Sequence, residues 1–291
     1  MYTTNSGSRI KETCKILFGL SDDQLYGNLQ NNIDNRWNVT PSQICDFIGK
    51  NFLEKQTHKL VSFIEESDWK IYLNEKIQIH HTIEIEEYNP KHISSYKFPQ
   101  VIGITGKKYN GKDTVSNYLT PKYGYYRIAY ADPMKEACRI IFGFNEDQLY
   151  GTSKEIVDNR WNISPRQAFQ YIGTDLFRKQ IYLLIPELKD NFWVKCMMET
   201  IKKQLIMCPN KKYVVSDIRF QNEINSLKEE FINCKIIRVT RPSINLYNKD
   251  TDLHESEMMI DKLGMVDYDI LNDSDLLSLH LKIDKIFENM L

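Results

Sequence analysis

Residues 101–115, VIGITGKKYNGKDTV, restrict what this chain can fold into more than any other stretch. Val101, Ile102, Ile104 and Thr105 form an apolar, β-branched run that reads as a short strand. Residues 106–112 then spell G-x-x-x-x-G-K, and Asp113 onward can open a helix. Strand, glycine loop and helix N-terminus in that order make a phosphate site of a short pattern. Gly106 and Gly111 allow backbone angles that turn successive N–H groups toward one anion. The helix adds its own unspent N–H groups and its dipole, and Lys112 is placed to meet the β- and γ-phosphates of a nucleotide. The common form of the motif has Ser or Thr directly after the lysine as a magnesium ligand. Here Asp113 stands there and Thr114 follows, and either could serve the metal, directly or through water. The plainer reading is a glycine-rich turn opening an ordinary helix; the strand before and the helix after favour phosphate.

A chain of 291 residues has room for one large domain or two small ones. Its 38 Lys and Arg against 39 Asp and Glu leave no global basic field for nucleic acid or an anionic membrane. Six cysteines are scattered without C-x-x-C or His pairing, which reads as reduced thiols in a cytosol-like compartment. No apolar run approaches the ~20 residues of a membrane span, and the polar start MYTTNSGSRIK is not a signal peptide.

Residues 11–56 match residues 135–180 without a gap, at a constant offset of 124, and 22 of the 46 positions are identical. KETCKILFGLSDDQLYG aligns with KEACRIIFGFNEDQLYG, and DNRWNVTPSQ with DNRWNISPRQ. The period is too long and the copies too few for a solenoid. The first copy has no glycine loop before it. It carries Lys50-Asn51 for Thr174-Asp175, Ser42 for Arg166 and Glu54 for Arg178. A phosphate-handling surface would thereby lose two cations and gain an anion. Residues 1–60 therefore read as a helical duplicate without active-site parts, a packing or interaction element. The sharper alternative is that it lends an arginine such as Arg36 in trans.

Residues 61–98 pass from helical to strand-like character and close in a linker near Pro99. His80 and His81 are adjacent and would face opposite sides of a strand, so they are expected at the surface rather than on a metal. Residues 125–130 (YYRIAY) predict a second strand. Asp132 suits the N-cap and Pro133 the first turn of the next helix, which breaks at Gly143. Asp132 and Lys135 are then a cap and a solvated side chain, or a second anion pocket. Ser164-Pro165-Arg166-Gln167 is a strong helix start, with Phe169, Ile172 and Leu176 facing inward. Arg160, Arg166, Arg178 and Lys179 gather around it, as charged surface or as a lid bringing guanidiniums onto phosphates. A further helix starts at Asn191 with Trp193, Met197, Ile201 and Leu205 as its core stripe. Residues 213–217 (YVVSD) predict a buried strand. It ends in Asp217, where ligands gather in a parallel sheet, and Asp217 is the candidate acid for magnesium. Arg219 would share that edge. A helix over 220–230, a strand over 235–240, a polar loop holding His254, Glu255 and Glu257, a strand over 268–271 and a helix over 273–290 complete the chain. Alternating strand and helix predict an α/β fold with a mostly parallel sheet flanked by helices.

Taken together, the blocks GKKYNGKDT, ADPMK, YIGTDLFR, NFWVKCM, VVSDIRFQNE, RVTRP, DLHESE and YDILND give the chain, from about Gln100 on, a clear likeness. It resembles the deoxynucleoside monophosphate kinases of large DNA phages and viruses, which use the same G-K-Asp-Thr variant of the loop. The resemblance implies a P-loop kinase fold and transfer of the γ-phosphoryl of ATP, with Mg2+, to a deoxynucleoside monophosphate, in a viral protein acting in the host cytoplasm. It implies that Gly106, Lys107, Asn110, Gly111, Lys112, Asp113 and Thr114 hold the ATP phosphates. Lys112, Arg178, Asp217 and Arg219 would be catalytic, and Asp113, Thr114 and Asp217 would serve the metal. Asp132, Lys135, Arg166, Thr174, Asp175, Arg178, His254 and Glu257 would surround the acceptor. The expected division is residues 1–60 as the non-catalytic duplicate, 61–98 as a connecting segment and 99–291 as the kinase domain. The duplicate has no counterpart in the family pattern.

Two rivals share part of these features. An animal-type phosphomevalonate kinase shares G-K-Asp, Pro-x-Lys, Ser-Asp-x-Arg and Glu-Ser-Glu, but YIGTD and RFQNE favour the nucleotide kinase. A non-catalytic ATP-binding regulator would not need Lys112, Arg178, Asp217 and Arg219 all present. The expected partner is a small-molecule nucleotide, with no polymeric nucleic acid and no membrane. A homodimer is left open, because the duplicate could pack within its own chain or against another.

Overall fold

The computed structural model describes residues 2–3, 7–77, 80–81, 98–242 and 259–290. The chain divides into two compact units, Met1–Glu86 with Ala131–Cys196, and Glu87–Tyr130 with Met197–Leu291.

Both copies of the repeat belong to the first unit, and the same residues build the same turns in each. Helix Arg9–Phe18 stops at Gly19 (φ 61°) and helix Ala131–Phe142 at Gly143 (φ 63°), in the left-handed region where glycine is strain-free. Ser21 and Asn145 then cap helices Asp22–Tyr26 and Glu146–Tyr150, each with a glutamine three residues on closing a capping box. Thr40 and Ser164 do likewise for helices Pro41–Phe47 and Pro165–Gln170. Each of these widens into a π-helix, Ile48–Gln56 in the first copy and Tyr171–Arg178 in the second. Trp37 Nε1 donates to Phe18 O (2.9 Å) and Trp161 Nε1 to Phe142 O (2.7 Å). Asp34 and Asp158 are the paired hubs: Gln24 and Arg36 donate to one, Gln148 and Arg160 to the other.

Two short antiparallel ladders complete the first unit: β1 (Tyr2–Thr3), β2 (Gly7–Ser8), β3 (Lys76–Ile77) and β4 (His80–His81) pair β1 with β4 and β2 with β3. Against the sequence expectation, Asp132 does not cap its helix, which starts a residue earlier at Ala131. Pro133 can sit at the third position because the first four N–H groups have no intrahelical acceptor, so the proline does not fix where the helix begins.

The second unit is a five-stranded sheet: β5 (Val101–Thr105), β6 (Tyr125–Ile128), β7 (Lys212–Ile218), β8 (Lys235–Thr240) and β9 (Tyr268–Leu271). Their order is β6-β7-β5-β8-β9 and every pairing is parallel. β5 is buried throughout, as its unbroken apolar run requires. Its core joins Ile102, Ile104, Val115, Leu119, Val214, Ile237 and Ile270 with Leu279, Ile283 and Phe287 of helix Leu276–Glu288. That helix begins at Leu276 rather than 273, because Asp275 caps it through Ser278 N (2.8 Å) while Asp273 pairs with Lys282. After β5 the chain leaves toward β6 on one side and returns through β8 on the other. The carboxyl edge of β5 is thus the switch point where α/β sheets bind ligands.

Candidate active site

The glycine loop leaves β5 at that edge. Gly106 has φ 146° and Gly111 φ 101°; a Cβ on Gly106 would fall 2.3 Å from Val239 O, and one on Gly111 2.6 Å from Asn272 Nδ2. Only glycine fits at either place. Helix Lys112–Tyr123 follows with Gly111 as its cap and, among the described residues, no side-chain cap hydrogen bond. Its first N–H groups are therefore not spent as they are at Ser21, Asn145 or Asp275. Two buried asparagines hold the loop in place. Asn272 Nδ2 donates to Asn110 O (3.0 Å) and Asn110 Nδ2 to Val239 O (3.1 Å). Asn110 Oδ1 is buried with no hydrogen-bond partner among the described residues. Lys112 Nζ donates to Lys107 O (2.8 Å), and Lys107 forms an ion pair with Asp261. Asp113 is exposed and Thr114 half-buried at the helix start.

β7 brings the second part of the site to the same edge of the sheet. Asp217 Oδ1 accepts from Tyr130 N (2.7 Å). The turn after it is clamped by Glu223, which is 2 % exposed and accepts from Arg219 N (2.8 Å) and Phe220 N (3.1 Å). Thr105 Oγ1 donates to Ile218 O (2.9 Å) and fastens the ends of β5 and β7 together. Glu223 and Asn272 lie inside the RFQNE and YDILND blocks and Thr105 inside the predicted strand, but none of the three was singled out for the site. Glu223 had a signal, a glutamate three residues after a helix cap; the two others are single polar residues with none.

The acceptor candidates are on the first unit. Thr174, Asp175 and Arg178 are half-buried on the π-helix Tyr171–Arg178, and Asp175 pairs with Lys179 (3.1 Å). Lys135 Nζ stands 4.3 Å from the Tyr150 ring centroid. Arg166 pairs with Glu155 (3.0 Å), and Arg160 with Asp158 (2.6 Å). Of the four cations expected to gather here, Arg160, Arg166 and Lys179 are thus each in a carboxylate pair. Arg36 is likewise held by Asp34 and Gly19 O, within its own copy. The π-turn does not mark the site by itself, since the first copy keeps it without the Thr-Asp pair or the arginine. His254 and Glu257 lie outside the described residues.

The donor set fits the groups a kinase needs. The glycine cradle and uncapped helix start suit phosphate oxygens. Carboxylates and a hydroxyl at Asp113, Thr114 and Asp217 are hard oxygen donors of the kind Mg2+ takes. Among the described residues no three His, Cys, Asp or Glu side chains cluster as in an all-protein metal cage. Magnesium in phosphoryl-transfer sites keeps waters and phosphate ligands and needs few side chains.

A family model described as deoxynucleotide monophosphate kinase matches residues 142–283. A protein of Acanthamoeba polyphaga mimivirus, provisionally named deoxynucleotide monophosphate kinase, is 32% identical over 192 residues, 65% of this chain and 96% of its own length. The chain belongs to the deoxynucleotide monophosphate kinase family. It is a phosphotransferase, and membership of a kinase family implies ATP as its donor. Among solved structures, a dephospho-CoA kinase of Campylobacter jejuni is similar at 16% identity and TM-score 0.35, over 66% of this chain and 97% of that one. A gluconokinase of Sinorhizobium meliloti 1021 is similar at 13% identity and TM-score 0.34, over 66% and 96%. No helix among the described residues is long and apolar enough to cross a membrane.

Proposed function

We propose that this kinase transfers the γ-phosphoryl group of ATP to the 5′-phosphate of a deoxynucleoside monophosphate, giving ADP and the diphosphate. The observation that carries it is the glycine cradle at the carboxyl edge of β5 beside the Asp217-x-Arg219 edge, in a chain of this family. Phosphoryl transfer needs alignment and charge neutralisation more than covalent help. On this reading residues 106–114 hold the ATP phosphates. Lys112, now folded onto Lys107 O, turns its ammonium to them. Bound Mg2+ would neutralise phosphate charge, and Asp113, Thr114 and Asp217 are the residues to hold it. Arg178 and Arg219 supply cations for the transferred group. Asp132, Lys135, Arg166, Thr174 and Asp175, with His254 and Glu257, receive the acceptor. Its place of action would be the cytoplasm of an infected cell.

The test is coupled ADP release with ATP–Mg2+ and, separately, dTMP, dGMP, dCMP, dAMP and phosphomevalonate, beside Lys112→Ala. Turnover of at least one deoxynucleotide, lost in the variant, is the expected result. Turnover of phosphomevalonate alone, or ATP binding with no turnover of any acceptor, would reject the reading.

A further inference from the structure

The helix that follows each copy of the repeat touches both copies: Trp69 Nε1 donates to Leu53 O of its own copy (2.7 Å), and the Phe192 ring stands 4.9 Å from Phe177 of its own. Trp69, on helix Glu66–Asn74 after the first copy, sits against the second copy's Phe142 and Trp161, with ring centroids 6.3 and 5.6 Å away. Phe192, on helix Phe192–Met207 after the second copy, sits against the first copy's Phe18 and Trp37 at 5.2 and 5.8 Å. Phe18 and Phe142 are repeat equivalents, as are Trp37 and Trp161. Tyr72 and Cys196 also stand at equivalent positions. The Tyr72 ring lies 5.3 Å from Trp161, and the Cys196 thiol donates to Leu17 O at 3.1 Å. Helices Arg9–Phe18 and Ala131–Phe142 pack directly on each other. The match is partial, since Trp193, the equivalent of Trp69, donates to Gly173 O of its own copy (2.7 Å) and its neighbour Phe192 makes the cross-copy contact. Like patches offered by two like halves to each other are the mark of an isologous interface between two identical chains. Here both halves lie in one chain. The mimivirus relative is barely longer than its 192 matched residues, so it has no length for a second copy and its connecting segment.

We propose that the N-terminal duplicate is a tethered stand-in for a second kinase protomer. It covers, within one chain, the face that another copy of residues 135–180 would cover, and it thereby positions the π-helix Tyr171–Arg178. Phe52 and Gln56 of the duplicate reach that segment. Phe52 packs edge-on to Phe177, with centroids 5.3 Å apart at 87°, and both rings are fully buried. The Tyr171 hydroxyl donates to the Gln56 carbonyl. The duplicate needs no acceptor chemistry for this task, in keeping with Lys50, Asn51 and Glu54 at the places of Thr174, Asp175 and Arg178. Phe52 and Gln56 are positioning residues, and their effect on the acceptor rests on the function proposed above.

Two measurements on the full chain test this. Light scattering should give the mass of one chain, 34.4 kDa, across concentrations; a stable dimer would overturn the stand-in. Phe52→Ala should speed amide exchange of residues 171–178 and raise the acceptor KM about tenfold while the ATP KM stays within about twofold. Phe52→Leu, which installs the residue found at the equivalent Leu176, should restore both. Unchanged exchange in folded Phe52→Ala would overturn the positioning role. Should that variant not fold, Tyr171→Phe deletes one hydroxyl and probes the same segment: faster exchange there supports the positioning role, and unchanged exchange overturns it. Mass and exchange do not depend on turnover, so they still decide the matter if no deoxynucleotide is accepted.

Discussion

The side-chain amide of Asn272 donates to the backbone carbonyl of Asn110 across 3.0 Å, tying the end of β9 to the glycine loop. Asn272 is itself fixed, its N–H donating to Thr240 O at 2.7 Å. Asn272→Ala would leave a buried carbonyl without a donor, at a cost of about 1–3 kcal/mol. The sheet should stay folded while the loop loosens. The expected outcome is an ATP KM raised about tenfold and a melting temperature lowered by only a few degrees. Unaltered ATP affinity in a folded Asn272→Ala would show that the loop holds its shape without this anchor.

Gly106 and Gly124 both have positive φ, yet they should respond differently to alanine. At Gly106 a Cβ would meet Val239 O at 2.3 Å, a backbone atom in the middle of the sheet. At Gly124, with φ 69°, no atom of the described residues lies within 4 Å. Gly124→Ala should cost only the left-handed strain of about 1–2 kcal/mol and keep ATP binding. Gly106→Ala should abolish ATP binding, read by titration beside thermal melts of both variants. Equal behaviour of the two would mean that strain alone, not the close approach to Val239, governs the loop.

Glu223, 2 % exposed, holds the turn that presents Arg219. Its carboxylate takes two backbone N–H groups, at Arg219 and Phe220. Glu223→Ala would free both and let the turn shift. Misplacement of about 1 Å near a reacting group can cost about a hundredfold. We expect kcat to fall by that order with the ATP KM nearly unchanged. Glu223→Gln, which keeps one acceptor oxygen, should fall in between. A rise in ATP KM alone would place Glu223 in nucleotide binding instead.

Strands β8 and β9 follow the sequence expectation residue for residue, since each is a short apolar run with polar breaks on both sides. The glycine loop was equally legible, because its backbone angles demand residues that leave a pattern. The repeat was visible as identity, but the reach of each following helix onto the other copy was not. Trp69 and Phe192 are ordinary core aromatics in sequence, and no local spacing says which copy each will cover. The π-helices were also hidden, because the apolar spacing of Phe169, Ile172 and Leu176 fits a plain α-helix as well. Asn272 and Glu223 act through one or two hydrogen bonds each, and contacts of that kind leave no periodic trace.

The paired hubs make the first unit sensitive to acid. Hydrogen bonds from the Arg160 side chain first, then from Gln148 and the Arg160 backbone, hold the Asp158 carboxyl down at about 2 despite its burial. At Asp34 burial pulls upward, but hydrogen bonds from Arg36 and Gln24 outweigh it and the carboxyl is again lowered. A carboxyl lower in the folded than in the unfolded state stabilises the fold above its unfolded value. That contribution is lost as pH falls from there through the folded value. For Asp158 the window runs from about pH 4 down to about pH 2, and the contribution is about 2 kcal/mol. All four tryptophans, Trp37, Trp69, Trp161 and Trp193, belong to the first unit, so their fluorescence follows its unfolding alone. In urea titrations Asp158→Asn should be less stable than the parent at pH 7, and the gap should narrow between about pH 4 and about pH 2.5 as the parent loses its ionised carboxylate. A gap that stays constant over that range would mean that Asp158 acts through shape and neutral hydrogen bonding, not through its charge.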